Sequence, residues 1–216
     1  MNKNLLISLV VSSIAFPSVS SAADEKSINI GITSDYLWRG VTQSDNKFSL
    51  SAGGDYNDNS GFYVGVWAAS VDFDDNTNFE YDFYTGFQKE INNINFDIGY
   101  IRYGYQGEDN LDFSEVYIKA NYKDLTFAIS TLVDSDTGGD FSDSTYIEVN
   151  YDYSLTNQIT MSVHGGYYDF KDSENYQDFN LSFGYEDFSL MISTLTGNDN
   201  LEDTVIALSY AKAFSF

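Results

Sequence analysis

The residues with the most chemical potential in this chain are carboxylates set two apart. From Phe79 to Lys89, Glu80 and Asp82 fall on one side of an alternating run, with Phe79, Tyr81, Phe83, Thr85 and Phe87 on the other. A period of two is that of a β-strand, so the acids share one face and the apolar side chains the opposite face. Asp97, Glu115, Tyr117, Lys119, Glu148, Asn150, Asp152, His164 and Asp178 stand on the polar faces of their own segments. Gathered around a channel, such a set concentrates cations, repels anions and hydrogen-bonds neutral polar solutes. Nucleophilic chemistry has less to work with. His164 is the single histidine, and the serines in phase with it, Ser162 and Ser182, lie in no recognised nucleophile motif. A hydrogen-bonded histidine is expected there, with no catalytic residue, no enzyme activity and no cofactor. The loop acids, among them Asp72, Asp74, Asp75, Asp134, Asp143 and Glu202, could collect Ca²⁺ or Mg²⁺. None of them has the fixed spacing of a dedicated calcium loop, and no metal centre is expected.

These residues need a scaffold of strands. Alternation runs through almost the whole chain, from Ile28, Ile30 and Ile32 to Ile206, Leu208 and Tyr210, and no helical stripe interrupts it. The pattern divides into about twelve strands, each close to the length that crosses a bilayer when tilted. Connections alternate in kind. Short ones fall at 57–60, 90–93, 123–124, 155–157 and 186–187. Longer ones, crowded with Asp and Asn, fall at 35–46, 74–78, 107–110, 134–143, 171–175 and 197–200. That alternation fits an all-β, transmembrane, antiparallel up-and-down β-barrel with both termini on the short-turn side. Nothing marks a second domain, a linker or a repeat.

Residues 1–23 read as an export signal: Lys3, an apolar run from Leu5 to Phe16, then Ser20-Ser21-Ala22-Ala23 as a cleavage site. Residues 24–216 would then be the barrel. No stretch reaches the roughly 20 apolar residues of a membrane helix. A net charge of −23 excludes nucleic acid as a partner. The chain has no cysteine, and its one proline, Pro17, lies in the signal, which suits uninterrupted strands.

A soluble β-sandwich alternates in the same way, with its apolar face turned to a core. Three features favour a membrane. Aromatics gather at strand ends, with Tyr36, Trp38, Phe73, Phe79, Tyr103, Tyr105, Phe113, Tyr168 and Phe170 toward the long loops. Tyr56, Phe62, Phe87, Tyr122, Tyr153, Tyr185 and Phe188 lie toward the short turns. Two such belts are what bilayer interfaces select. The chain stops on Phe216 after Phe214 and Tyr210, similar to the terminal aromatic signature by which the barrel-assembly machinery receives outer-membrane barrels, although Lys212 interrupts it. The loop asymmetry, finally, has no counterpart in a sandwich.

SDYLWRGVTQS (34–44), GFYVGVWAASVDF (61–73), EYDFYTGF (80–87) and DIGYIRYGY (97–105) followed by Glu115-Val116-Tyr117 together resemble the TorF family of proteobacterial porins, long catalogued as of unknown function. The resemblance covers roughly the first half of the barrel. That family usually carries a proline soon after the Thr-Gln-Ser segment, and Asp45-Asn46-Lys47-Phe48 has none. The resemblance implies an outer-membrane porin in contact with lipid and lipopolysaccharide, and it brings no catalytic residues.

The lumen is then expected to carry Glu80, Asp82, Asp97, Glu115, Tyr117, Lys119, Glu148, Asp152, His164 and Asp178, and to pass small polar solutes or cations. Gly65, Gly86, Gly99, Gly165, Gly166 and Gly184 leave strand positions without bulk, which favours an open pore. The alternative is a closed structural or adhesive barrel filled by paired side chains. A lipid enzyme is the third reading. Trp38 and Arg39 are expected at the mouth of the first loop, where Arg39 either folds inward as a counter-charge or contacts lipid phosphates, and Arg102 on the lipid face reaching headgroups unless a bulge reverses it.

Overall fold

The computed structural model describes residues 24–107, 111–199, 201 and 203–216. The expected export signal at 1–23, the ends of the loops at Asn110 and Asn200, and Glu202 lie outside the described residues. The strands are β1 (Glu25–Thr33), β2 (Leu37–Trp38), β3 (Val41–Thr42), β4 (Ser49–Asn57), β5 (Phe62–Ser70), β6 (Phe79–Ile91) and β7 (Ile94–Gln106). They continue with β8 (Phe113–Tyr122), β9 (Leu125–Ser135), β10 (Ser144–Ser154), β11 (Ile159–Phe170), β12 (Tyr176–Tyr185), β13 (Phe188–Thr196) and β14 (Asp203–Ser215). Twelve of them, β1 and β4 to β14, form a closed antiparallel barrel in which each strand pairs with its neighbours in sequence. The seam joins β1 to β14 from Ser27↔Ser215 to Thr33↔Ser209, so no edge is left unpaired.

Alternation decides which way each side chain points. Ile98, Ile118, Ile129 and Ile147 are aligned across β7 to β10 in one apolar row on the outer wall. Ile28, Leu50, Val66, Phe83, Ile98 and Leu208 are exposed outward, while Glu80, Asp82, Asp97, Glu115 and Asp178 are buried inward. This inversion of a soluble protein is the arrangement required when the solvent is lipid. Short and long connections alternate, and the turn between β6 and β7 is reduced to Asn92 and Asn93, whose φ values of 54° and 64° make the tight hairpin turn that asparagine favours.

The first long connection is not a solvated loop. β2 and β3 pair only with each other, through Leu37↔Thr42 and Trp38↔Val41. The hairpin tip is Arg39 and Gly40, with φ of 50° and 83°. Its base is tied by Thr42 Oγ1 donating to Asp35 Oδ1 at 2.6 Å and by Ser44 Oγ donating to the same oxygen at 3.0 Å. Leu37 and Arg39 are 2% and 4% exposed, which places this hairpin inside the barrel. Trp38 and Arg39, expected at the mouth, are thus lumen residues.

Arg102 also departs from expectation. It lies on the outer face beside a β-bulge at Ser114/Glu115. Its guanidinium is caught by Asp134 at 3.1 Å and Asp136 at 3.2 Å, with Ser114 at 3.1 Å. Asp134 at the end of β9 and Asp136 of the loop after it satisfy the guanidinium, in place of lipid headgroups.

Candidate functional site

The inward residues form three connected groups around the hairpin. The central contact is Arg39 with Glu115 of β8. Nη1 donates to Oε1 at 2.8 Å and Nη2 to Oε2 at 2.6 Å, with the carboxylate only 1% exposed. A bidentate fork of this kind fixes both distance and orientation. The guanidinium also lies 4.3 Å from the ring centres of Trp38 and Tyr146 and 4.7 Å from that of Tyr168. Trp38 meets Tyr103 and Phe113 edge-on, at 5.9 and 5.8 Å between ring centres. Leu37 packs with Met191, Val205 and Ala207 on the opposite wall. Gly40 lies against Asp178, and a methyl group built on it would fall 2.7 Å from the Asp178 Cβ. Only glycine suits that tip, because both the space and the left-handed φ demand it.

The second group lies on β4 to β8. Tyr63 Oη donates to Asp97 Oδ1 at 2.7 Å and shares a short contact with the Tyr117 hydroxyl, while Gln88 Nε2 reaches Asp97 Oδ2 at 3.4 Å. Tyr84 donates to Asp55. Lys119, half-buried opposite Asp97, sits 4.8 Å above the Tyr117 ring. Glu80 and Asp82 complete this wall, with the Tyr105 hydroxyl 3.4 Å from Glu80 Oε1.

The third group, on β10 to β12, centres on His164. Its Nε2 faces Asp178 Oδ1 at 2.8 Å and the Tyr146 hydroxyl at 2.9 Å, and its Nδ1 faces Asn150 Oδ1 at 2.7 Å. Glu148 Oε2 is 3.6 Å away. Asp152 is apart from this cluster, accepting from Ser162 at 2.5 Å. Both ring nitrogens are engaged, and the candidate nucleophile Ser162 is bonded elsewhere. Among the described residues, no group of three or more Asp, Glu, His or Cys is placed to hold a metal.

All ten residues expected in the lumen therefore face inward, but they do not line an open bore. The glycines expected to leave room do so for tyrosines. A side chain at Gly65, Gly86, Gly99 or Gly166 would collide with the rings or hydroxyls of Tyr84, Tyr63, Tyr117 and Tyr146 respectively. Gly165 belongs to the outer wall beside Phe179, and of these six glycines only Gly184 would take a methyl group with no neighbour nearer than 4.0 Å. Around Arg39 the remaining cavity is about 30 Å³, between Tyr36, Trp38, Ile101, Tyr103 and Glu148. That is room for a water molecule or two. Toward the short turns the inward side chains Ser27, Asn29, Thr126, Thr160 and Ser162 are small and only half-buried.

The aromatic belts divide in the same way. Phe62, Phe87, Tyr122, Tyr153, Tyr185 and Phe188 are exposed on the outer wall, as an interface belt requires. Of the belt expected at the long-loop end, Phe79 faces outward, while Tyr103 and Tyr168 are buried in the lumen. Trp38, Tyr105, Phe113 and Phe170 pack against the buried clusters beside them. The inserted hairpin had one signal in the sequence: Tyr36-Leu37-Trp38-Arg39 sets three consecutive aromatic or apolar residues before an arginine, in a connection class otherwise crowded with Asp and Asn.

Outside the lumen, the rim carries exposed ion pairs. Lys47 Nζ meets Asp72 Oδ2 at 2.7 Å and Lys171 Nζ meets Asp143 Oδ1 at 2.7 Å. The lysine hydrogen bonds hold both carboxyls below their ordinary range.

A family model described as a bacterial protein of unknown function, Gcw_chp, matches residues 18–207, a span that includes every segment resembling TorF porins. No curated protein matches by sequence. Among solved structures, a KdgM porin is similar at 11% identity, with a TM-score of 0.57 over 88% of this chain and 99% of that one. A KdgM porin in complex with disordered oligogalacturonate is similar at 10% identity and a TM-score of 0.54, over 89% and 99%. A NanC porin in a rhombohedral crystal form follows at 11% identity and 0.52, over 87% and 98%. At these identities the likeness establishes the fold, a closed barrel of the outer-membrane porin type.

Proposed function

The chain belongs to the Gcw_chp family of bacterial proteins of unknown function, and we propose that it is a TorF-type outer-membrane channel for small hydrophilic solutes or cations, closed at rest by the hairpin of its first loop. Residues 1–23 export it, and 24–216 form the barrel in contact with outer-membrane lipid and lipopolysaccharide. The observation that carries the reading is the independence of the plug. β2 and β3 share no strand pairing with the barrel wall. The hairpin can therefore leave the lumen without breaking a ladder hydrogen bond, and the wall it uncovers carries Glu115, Tyr146 and Asp178 beside an apolar patch of Met191, Val205 and Ala207. A structural barrel closed for good needs neither property.

Selectivity follows from charge. Asp55, Glu80, Asp82, Asp97, Glu115, Glu148, Asp152 and Asp178 face inward against Arg39, Lys119 and His164. A narrow passage of that sign favours cations and neutral polar solutes. An anionic oligosaccharide, such as the one held by the KdgM complex, is a poor fit here. Diffusion is also favoured over lipid hydrolysis, because His164 has no ring nitrogen left for a serine. The reversal potential of channel openings under a KCl gradient tests the reading: a cation sign is expected, and equal permeability of K⁺ and Cl⁻ would refute the charge-selective lumen. The filled interior supports the second reading, a barrel that stays closed, and the single-channel conductance of a barrel that lacks the hairpin separates the two.

A further inference from the structure

One pair of inward acids stands apart from the rest. Asp35, Asp55, Asp97, Glu115, Glu148, Asp152 and Asp178 each accept at least one side-chain hydrogen bond at 3.3 Å or less, several of them from two donors. Glu80 and Asp82 differ. Each is 1% exposed, and Glu80 Oε2 and both Asp82 oxygens have no hydrogen-bond partner among the described residues. The hydroxyls of Tyr36 and Tyr105 face Glu80, but the Tyr105 contact, at 3.4 Å, is long for a hydroxyl on a carboxylate. Three buried carboxylate oxygens are thus left unanswered on one strand face.

Buried carboxylates are kept by pairing, by protonation or by a metal ion. The geometry points to the last. We infer that Glu80 and Asp82 hold a hard cation between them, of which Ca²⁺ fits best. Residues two apart on a strand have Cα atoms about 7 Å apart with side chains pointing the same way. Carboxylates at that spacing can reach one ion whose oxygen ligands stand at about 2.3–2.6 Å. The donors on offer, carboxylate and phenol with water, are all oxygen, which suits Ca²⁺ and discriminates against metals that prefer sulfur or imidazole. Mg²⁺ demands a stricter octahedron than two carboxylates on one strand provide. The pair lies near the loops: Glu80 is the second residue of β6 at the long-loop end, under loops whose Asp72, Asp74 and Asp75 raise the local cation concentration. Tyr36, from the first loop, makes the site shared between plug and wall, so a bound cation ties the hairpin to β6. The site does not require the barrel to conduct, and so it stands or falls separately from the channel reading.

Tb³⁺ occupies oxygen-rich calcium sites and emits when excited through a nearby aromatic ring, here Tyr36, Tyr105 or Trp67, which stacks edge-on to Tyr36 at 5.5 Å. In the refolded full barrel, sensitised emission should saturate at one site, be displaced by Ca²⁺, and weaken at least tenfold in affinity in Asp82→Asn and in Glu80→Gln. The double change Asp72→Asn with Asp75→Asn, on the external loop, should keep saturation at one site and weaken affinity far less than either lumen substitution, because it removes only the field of the loop. Heat-modifiable mobility on a gel confirms that each variant has folded. In the wild type, Ca²⁺ but not K⁺ should raise the melting temperature. Absence of emission, emission that survives both lumen substitutions, or a melting temperature indifferent to Ca²⁺ would overturn the site and leave a protonated carboxyl pair in its place.

Discussion

The two ends of the lumen use the same residue types in opposite ways. At the short-turn end, Phe62, Phe87, Tyr122, Tyr153 and Phe188 are exposed on the outer wall, and small polar side chains such as Ser27, Asn29 and Thr160 face inward. At the long-loop end, Tyr103, Tyr146, Tyr168 and Tyr176 are turned inward and clasp the hairpin around Arg39. The difference is one of phase along each strand. Tyr103 and Tyr105 follow Asp97, Gly99 and Ile101 at intervals of two, and Tyr168 follows His164 and Gly166. An aromatic near a strand end belongs to an interface belt only if its phase is outward. The inward ones build a seal, and the opposite end of the barrel is left with small, half-buried polar side chains.

The largest effect separating the two ends should come from Glu115→Ala. Removing one partner of a buried ion pair costs about 3–5 kcal/mol when the other charge must stay buried. Here Arg39 sits on a detachable hairpin, so that energy should drive release of the hairpin while the barrel survives. Trypsin should then cut after Arg39 in the variant and spare it in the wild type, with heat-modifiable mobility retained. Cooperative unfolding of the barrel, with Arg39 still protected in what remains folded, would mean that the hairpin and the wall form a single unit.

Next in size is Ile118→Arg, on the outer wall. A charge facing lipid near the membrane midplane costs about 2–4 kcal/mol. The loss should appear in denaturant unfolding of the whole barrel, with cleavage at Arg39 unchanged. The pair of variants thus tests whether the wall and the plug are energetically separate.

The smallest effect is expected at the exposed rim. Lys47 holds the Asp72 carboxyl below its ordinary range through a hydrogen bond. A carboxyl depressed in the folded state favours that state above the ordinary carboxylate range, and the contribution fades as pH falls through the lowered value. Lys47→Ala should return Asp72 toward ordinary titration, read by NMR. Both side chains are solvated, so melting at neutral pH and protection of Arg39 should not change. A shift in either would mean that the rim pair reaches the seal.

The architecture was largely legible in the sequence, because alternation, loop asymmetry and a proline-free barrel segment all act on the backbone locally. Phase puts Glu80, Asp82, Asp97, Glu115, His164 and Asp178 on the polar faces of their strands, and loop asymmetry, the aromatic belts and Phe216 turn those faces inward. What phase does not reveal is depth of filling. Gly65, Gly86, Gly99 and Gly166 read as space, and the rings that occupy them come from neighbouring strands whose register the sequence does not state. The destination of Arg39 was hidden for a related reason. Its partner Glu115 is 76 residues away, and the choice between lipid phosphate and lumen carboxylate depends on a loop folding back. Arg102 was read correctly as outward, but its partners Asp134 and Asp136 approach through the shape of the β9 end and the loop after it.

The central claim, a polar channel sealed by one detachable hairpin, is tested most directly by single-channel conductance in planar bilayers. The wild type should be compared with a barrel in which residues 37–42 are replaced by a short Gly-Ser linker. The wild type should be closed for most of the record with rare openings, and the trimmed barrel should conduct in steady, larger, cation-selective steps. A trimmed barrel that inserts, keeps its heat-modifiable mobility and passes no current would contradict the account and leave a closed structural barrel in its place.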